Sequence, residues 1–362
     1  MKGDCVHMKA SVLRLTAAGL MILSLIFLVS SPSMAEAVRL PLDQAAGGMP
    51  WAEENWILIP GEEALTDERV LASGTAQPKV LKYDPDTRTW APGEKDAAVS
   101  KFAWHIYEDP SISVRCEYAT LLPAYKAKQI QSSVTYIKIA DASQIRTAMT
   151  YDSYKKGGFA EAEDMAKQKN AVAAVNGDFF KYHGKVGYVL RQGEFYRNKL
   201  NGERDMLLID ENGDFSALYA PTAEEADQYM AAIPEGKRIV NTFTLGPVLV
   251  ENGQARVITE TSVAKSGEFQ WKYAQQRVAV LQTGPLEYAV VEAYGKTDGS
   301  MGMTLQEFAD YIAYLFPDCV MAYNLDGGGS TRVVLKGKKI EDTPGHRQIS
   351  DILYFASAWQ AD

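Results

Sequence analysis

The chain has 362 residues, 46% of them hydrophobic and 23% charged, with a formal net charge of −9. That length supports one large domain or two smaller ones around a substantial buried core. The acidic balance excludes DNA or a bare anionic membrane as a general partner, while leaving room for a local basic pocket that takes one phosphate.

In chain order the first element is a leader. Lys2, Lys9 and Arg14 precede an apolar run from Leu15 to Val29, followed by Ser30-Ser31-Pro32 and the small-residue stretch Ser33-Met34-Ala35. This is a signal-peptide layout ending at Ala35 or Ala37, and the run is shorter than the roughly 20 apolar residues of a spanning helix. An uncleaved anchor is the alternative. Cleavage of residues 1–35 removes three basic and one acidic residue and leaves a net charge of −11. The expectation is a secreted or cell-surface chain with no stable membrane span after cleavage. Cys5 departs with the leader; Cys116 and Cys319 stay, as one disulfide or as two separate buried thiols, with no metal-ligand spacing.

Residues 36–126 are rich in proline, glycine and charge, with scattered tryptophans, and read as a loosely structured accessory region. The stretch "WHIYEDPSISVRCEYA" near its end predicts one or two strands. From Ser133 the patterning tightens. "VTYIKIA" (134–140) alternates as a strand does, and Gln192-Gly193, Asn212-Gly213, Asn252-Gly253 and Lys336-Gly337 each mark a β-hairpin between apolar runs. Repeated hairpins imply antiparallel pairing rather than a doubly wound parallel sheet. The fold class expected is therefore α+β: a mixed, largely antiparallel sheet with a few packed amphipathic helices.

Two helices are predicted. In "FAEAEDMAKQKN" the residues Phe159, Ala162, Met165 and Ala166 share a face. In "TLQEFADYIAYLF" the apolar residues Leu305, Phe308, Ala309, Ile312, Leu315 and Phe316 follow the 3.6-residue period, with Thr304 and Glu307 as a capping box. Both share one grammar: an amphipathic helix, a short buried strand, then a polar tip, "NGDFF" in one case and "LDGGGS" in the other.

The second tip, "NLDGGGSTRVV" (324–334), carries the densest chemistry. Its glycines permit backbone conformations closed to other residues and let a ligand approach the main chain. Successive N–H groups can form an anion nest, Ser330 and Thr331 add hydroxyls, Arg332 adds charge and Asp326 puts a carboxylate at the lip. A tight structural turn is the alternative that glycines alone allow. It is not a Walker loop, because the G-x-x-x-x-G-K-[ST] spacing is missing. The first tip places Asn176, Asp178 and His183 together. His183 reads as an acid or base or as a surface residue, and Phe179 and Phe180 read as core. Arg277 opens an apolar strand, as a phosphate clamp or as an exposed strand end. No Ser-His-Asp layout, nucleophile elbow, HExxH or CxxC is present, so serine-hydrolase and zinc chemistry lack support.

In order, "NGDFF", "TFTLGPVLVENG", "RVAV", "GMTLQEF", "NLDGGGSTRVV" and "RQISDILYF" make residues 133–357 resemble the phosphodiester glycosidase family. The resemblance implies a catalytic domain at 127–358 that hydrolyses a sugar joined through its anomeric oxygen to a phosphodiester. Free sugar and a phosphomonoester are released. It carries the family's strongest motif onto Asn324, Asp326, Gly327, Gly328, Gly329, Ser330 and Thr331, its Asn-Gly motif onto Asn176 and Gly177, and its arginine onto Arg277. The chain departs from the family pattern at Asp178, where glycine is frequent, at "AYGKTDGSMGMT", where Asp-Gly-Arg is frequent, and at Asp351, where asparagine is usual.

The chemistry is consistent with that implication. Glycosyl cleavage builds positive charge at the anomeric carbon and sends negative charge to the leaving oxygen. A phosphodiester already leaves well, so it needs arginine and N–H donors more than a strong general acid, and one carboxylate can suffice. Asp326 is the expected nucleophile or base, with Asp178 as runner-up. Arg277, then Arg191, Arg332 and Arg347, are the expected phosphate holders. No cofactor is required, although a divalent cation bridging carboxylate and phosphate is compatible. The expected partner is a sugar-phosphodiester or phosphoglycan polymer rather than nucleic acid. The rival readings are a non-catalytic glycan-binding surface module and a metal-dependent phosphodiesterase that cuts P–O.

Overall fold

The computed structural model describes residues 38–60, 79–92, 103–122, 130–181, 186–260, 271–297, 300–340 and 346–360. The leader, Cys5 and His183 lie outside these ranges. The strands before residue 160 are β1 (Trp56–Pro60), β2 (Lys79–Asp84), β3 (Thr89–Pro92), β4 (Ala103–Asp109), β5 (Ile112–Leu122), β6 (Ile130–Ile139) and β7 (Ile145–Met149). Then come β8 (Ala171–Asn176), β9 (Gly187–Arg191), β10 (Glu194–Lys199), β11 (Met206–Asp210), β12 (Phe215–Leu218), β13 (Ile239–Phe243), β14 (Val248–Glu251) and β15 (Gln254–Ala255). The last are β16 (Arg277–Gly284), β17 (Glu287–Ala293), β18 (Gly295–Thr297), β19 (Ser300–Met301), β20 (Met321–Asn324), β21 (Val333–Leu335), β22 (Lys338–Lys339) and β23 (Asp351–Ala356). Among the described residues three α-helices join them: α1 (Ala162–Gln168), α2 (Ala223–Ala231) and α3 (Leu305–Leu315).

Most of these strands fall into two sheets. The larger, of 11 strands, runs β1-β4-β5-β6-β17-β16-β20-β14-β15, with the β2–β3 hairpin attached to β5. Only the β2–β5 pairing within it is parallel. The second runs β22-β21-β8-β23-β7 and is antiparallel throughout. The largely antiparallel α+β architecture expected from the hairpin turns is the one observed. All four marked turns close hairpins, and Gln192, Asn252 and Lys336 take positive φ ahead of a positive-φ glycine, as two-residue hairpin loops require.

Residues such as Val114, Ile137, Val280, Val290, Val175, Leu353 and Phe355 meet between the two sheets in one core. The opposite face of the large sheet is covered by α3, whose Leu305, Phe308, Ala309 and Ile312 are fully buried. Each large apolar side chain buried this way contributes roughly 1.5–3 kcal/mol. The helix starts where the sequence signals it, because Thr304 and Glu307 form the reciprocal capping box. Helix α2 was not anticipated. Its cue is the same kind of box, with Thr222 bonded to Glu225 N–H and Glu225 returning the bond.

The region before residue 126 contributes β1 to β5 to the large sheet, and β5 pairs with β6 along ten residues. Its β2–β3 hairpin also clamps α3. Tyr83 donates to Asp310 Oδ2 at 2.7 Å and Arg88 reaches the same carboxylate through two nitrogens. The β4–β5 hairpin falls on the stretch expected to hold one or two strands; the β2–β3 hairpin was not anticipated, and the contacts that hold it on α3 lie more than 200 residues away. Cys116 and Cys319 are separate, buried, free thiols.

Candidate functional site

The two polar tips meet at one place. β8 ends in Asn176-Gly177-Asp178 and β20 ends in Asn324-Leu325-Asp326. Asn176 staples them together: its Nδ2 donates to Asp326 O at 2.8 Å and its Oδ1 accepts from Arg332 N at 2.9 Å. Asp326 N donates to Gly177 O. Gly177 is tightly packed, since a Cβ there would sit about 2.3–2.4 Å from the Asp351 carboxylate, which would have to move.

Asp326 has an unusual environment. Its side chain is 15% exposed, Oδ2 is buried without a hydrogen-bond partner, and Arg347 Nη2 stands 3.6 Å away. Burial pushes its pKa up to about 6; the charge of Asp178 adds to this, while Ser330, Arg347 and Arg204 pull against it. The Ser330 hydroxyl is close enough to oppose the shift, yet it is not aligned in a formed hydrogen bond. This carboxylate therefore changes charge near neutrality, which suits a group that must exchange a proton or attack.

Asp178 is the opposite case. Both of its oxygens are used, Oδ1 by Arg191 Nη2 at 2.9 Å and Oδ2 by Thr244 N at 2.7 Å. Arg191 is fully buried and also holds Asp351 through Nε and Nη2, at 3.3 and 2.9 Å. Its Nη1 donates to the carbonyls of Leu190 and Thr242, and the rings of Phe243 and Phe180 pack against its guanidinium. Burial raises the Asp351 pKa to about 7, opposed by Arg191 and reinforced by Asp178. The arginine is thus the hub of a carboxylate pair under the site, with all three of its nitrogens donating to protein acceptors.

The glycine loop differs from the nest expected of it. Gly328–Ser330 form a 3₁₀ turn in which the N–H groups of Gly328, Ser330 and Thr331 donate to the carbonyls of Gln276, Gly327 and Gly328. Those three donors are used inside the chain, because the tight turn folds them back. Gly328 has φ +60 and open space where a Cβ would point, while Gly327 lies against Gln276 O. The loop therefore presents a low, open floor beside Asp326. Gly329 O accepts from Arg347 N, which brings Arg347 to the site. Three further buried polar atoms of the motif, Asn324 Oδ1, Ser330 Oγ and Thr331 Oγ1, have no hydrogen-bond partner.

Among the arginines, the structure brings Arg347 to Asp326, with its side chain about half exposed and its guanidinium 5.0 Å from the Phe179 ring centroid. Arg277 is not brought there. It projects from β16 toward the α3 side, where Nε and Nη2 donate to Met303 O and Tyr273 O, and burial lowers its pKa to about 10. Arg332 is buried, with Nη1 on Thr331 O. Arg204 was missed by sequence reading: it is buried, and its charge acts on both Asp326 and Tyr323. Its neighbour Asp205 is held by Val248 N, Ala220 N and Arg256, which fixes that loop. Asn324 braces the same wall through Gly246 O. Among the described residues, no three His, Cys, Asp or Glu side chains form a metal-binding group.

The phosphodiester glycosidase family pattern matches residues 169–356, a segment that carries both polar tips and Asp351. The chain belongs to that family. It is 27% identical over 183 residues to an uncharacterized SPbeta prophage-derived protein, YomE, of Bacillus subtilis, a match covering 49% of this chain and 26% of the relative. It is 24% identical over 266 residues to the mouse N-acetylglucosamine-1-phosphodiester alpha-N-acetylglucosaminidase, covering 72% of this chain and 48% of the relative. The chain thus spans under half the length of either relative. The solved catalytic domain of the zebrafish enzyme of the same name, auto-inhibited by its pro-peptide, superposes with a TM-score of 0.54 at 18% identity. That match covers 69% of this chain and 84% of the zebrafish one, and it shows a shared fold.

Proposed function

We propose that the chain is an exported hydrolase that cleaves the anomeric C–O bond of a sugar-1-phosphodiester, releasing free sugar and a phosphomonoester. The observation that carries this reading is Asp326: a buried carboxylate with an uncommitted oxygen, a pKa raised to about 6, and Arg347 at 3.6 Å. Arg347, backed by Arg204, holds the phosphate and stabilises the charge that develops on the leaving oxygen. Asp326, as carboxylate, attacks the anomeric carbon or activates water against it. Asp178 is not the attacking group, because Arg191 and Thr244 N occupy both of its oxygens. Cell-wall or surface glycopolymers are the substrates that export would expose it to. No helix among the described residues is long and apolar enough to cross a membrane. In this proposal the strands before residue 126 are part of the catalytic unit, as an edge of its main sheet and a clamp on α3.

The test is hydrolysis of a UDP-sugar and sugar-1-phosphodiester panel in oxygen-18 water by residues 36–362. Label in the sugar, with loss of turnover in Asp326→Asn, is expected. Label in the phosphate assigns P–O cleavage instead and overturns the reading. Sugar release by neither protein leaves a glycan-binding module.

A further inference from the structure

Away from Asp326, the segment 38–49 is strapped across the outer side of the five-stranded sheet by two buried cations. Arg146 Nη2 donates to the carbonyls of Pro41, Asp43 and Ala46, and Lys169 Nζ donates to those of Gln44 and Ala45. Val38 N donates to Ala358 O and Leu40 N to Ser143 Oγ. Both cations are almost entirely buried, so the strap is held as firmly as core.

The strap forms one wall of a pocket of about 250 Å³ whose other wall is the start of β13. Leu40, Leu42, Ile145 and Val240 supply apolar surface, and Leu42 Cδ2 lies so close to the Gly193 turn that a Cβ there would be 2.8 Å away. Two arginines, Arg39 on the strap and Arg238 just before β13, line the pocket, together with one carboxylate, Glu211. Their acidic neighbours, Asp141 at 3.8 Å and Glu211 at 3.6 Å, are beyond hydrogen-bonding distance, and both arginine side chains are more than half exposed. Gln192, a residue only 5% exposed, also lines the pocket. Gln192 Oε1 accepts from Thr147 N and Asn241 Nδ2, which fixes the amide with Nε2 as its remaining donor.

We infer that this strap-walled pocket is a second binding site, for a monosaccharide-sized anion whose phosphate or carboxylate is clamped by Arg39 and Arg238 while a hydroxyl or ring oxygen accepts from Gln192 Nε2. The volume falls below the roughly 300–1,000 Å³ of sites for drug-sized ligands, which limits the occupant to about one ring and its charged group. Paired guanidinia favour a planar or tetrahedral oxyanion over a neutral sugar. The apolar walls match the apolar face of a ring. Gln192 directly follows Arg191 in the chain, so this site lies one residue behind the carboxylate pair and yet opens elsewhere.

Calorimetric titration of the mature chain with glucose 6-phosphate, glucuronate, glucose and inorganic phosphate tests this. At least one of the two sugar anions is expected to bind at least tenfold more tightly than glucose or inorganic phosphate. That gap is expected to disappear in Arg39→Gln/Arg238→Gln, two exposed positions, while hydrolysis of the sugar-1-phosphodiester is unchanged. Gln192→Glu keeps the acceptor that Thr147 and Asn241 use and replaces the donor; the same loss of binding is expected, with a lower melting temperature from the newly buried carboxylate that the double arginine variant does not share. Arg347→Gln, which touches the hydrolytic site, is expected to leave this binding intact, so failure of either site shows separately. Titrations of the double variant that superpose on wild type, or equal binding of all four compounds, overturn the inference.

Discussion

Two units of this molecule follow the same local plan and end differently. Helix α1 leads into β8 and Asn176-Gly177-Asp178; helix α3 leads into β20 and Asn324-Leu325-Asp326. Both strands are buried along their length, and both tips place an aspartate two residues after an asparagine. Asp178 is saturated by Arg191 and Thr244 N, whereas Asp326 keeps a buried oxygen with no hydrogen bond and an arginine standing off at 3.6 Å. A strand tip sets where a carboxylate stands, but the elements packed across from it set what it can do. A carboxylate that accepts two strong hydrogen bonds is a structural anion, and one that burial leaves underpaired is reactive.

The largest expected effect separates these roles directly. Asp326→Asn, isosteric and losing only the 3.6 Å ion pair with the half-exposed Arg347, should lower turnover about 10²–10⁴-fold in a sugar-release assay, with little change in melting temperature. Asp178→Asn should show its main cost in thermal unfolding. Equal and large losses of turnover with unchanged stability in both would erase the distinction.

Next comes Arg191. Replacing it by Met leaves Asp178 and Asp351 buried without their shared cation, which should cost about 3–5 kcal/mol in denaturant unfolding. Arg347→Met removes an exposed arginine, so stability should hold while kcat/KM falls. The reverse pattern would make Arg347 the structural arginine.

pH sharpens the comparison further. With Asp326 acting as carboxylate, kcat/KM should drop tenfold per unit below its pKa of about 6; a rate that instead falls above that value would make it the acid. Asp351 bears on stability. Its folded pKa, about 7, lies above the usual aspartate value of 3.8, so the folded chain binds more protons than the unfolded one between those values. Its contribution is full below about pH 4 and is lost as pH rises through 7. Asp351→Asn should flatten that decline in urea titrations at pH 5 and pH 8; an unchanged slope would remove Asp351 as its source.

The smallest effect is at Gly328. With φ +60 and nothing near a new Cβ, Gly328→Ala should cost about 1–2 kcal/mol of backbone strain and no clash. Gly177→Ala should cost more, since the Asp351 carboxylate must move. Thermal melts of the two variants compare them.

Much of this was legible in the residues. Turn chemistry such as Asn252-Gly253, the Thr304–Glu307 box and the period of α3 are local signals that need no distant partner. They suffice for the antiparallel α+β fold and for the placing of Asp326 at a strand end. Arg204 was not legible, because nothing in "NGERDM" marks an arginine that will face a carboxylate more than a hundred residues later. Arg277 and Arg191 share the form of a phosphate-binding arginine at a strand end, yet one turns to the α3 side and the other is enclosed by two carboxylates.

The sequence by itself determined the hairpins, the helix caps and the motif that brings Asp326 to a strand tip, because each depends on residues within a few positions of one another. Only the tertiary structure decided which arginine meets Asp326, that the glycine-loop donors fold inward, and that the strands before residue 126 join the main sheet. Those outcomes depend on burial and on charges brought together from distant parts of the chain, and desolvation has no signature in local pattern.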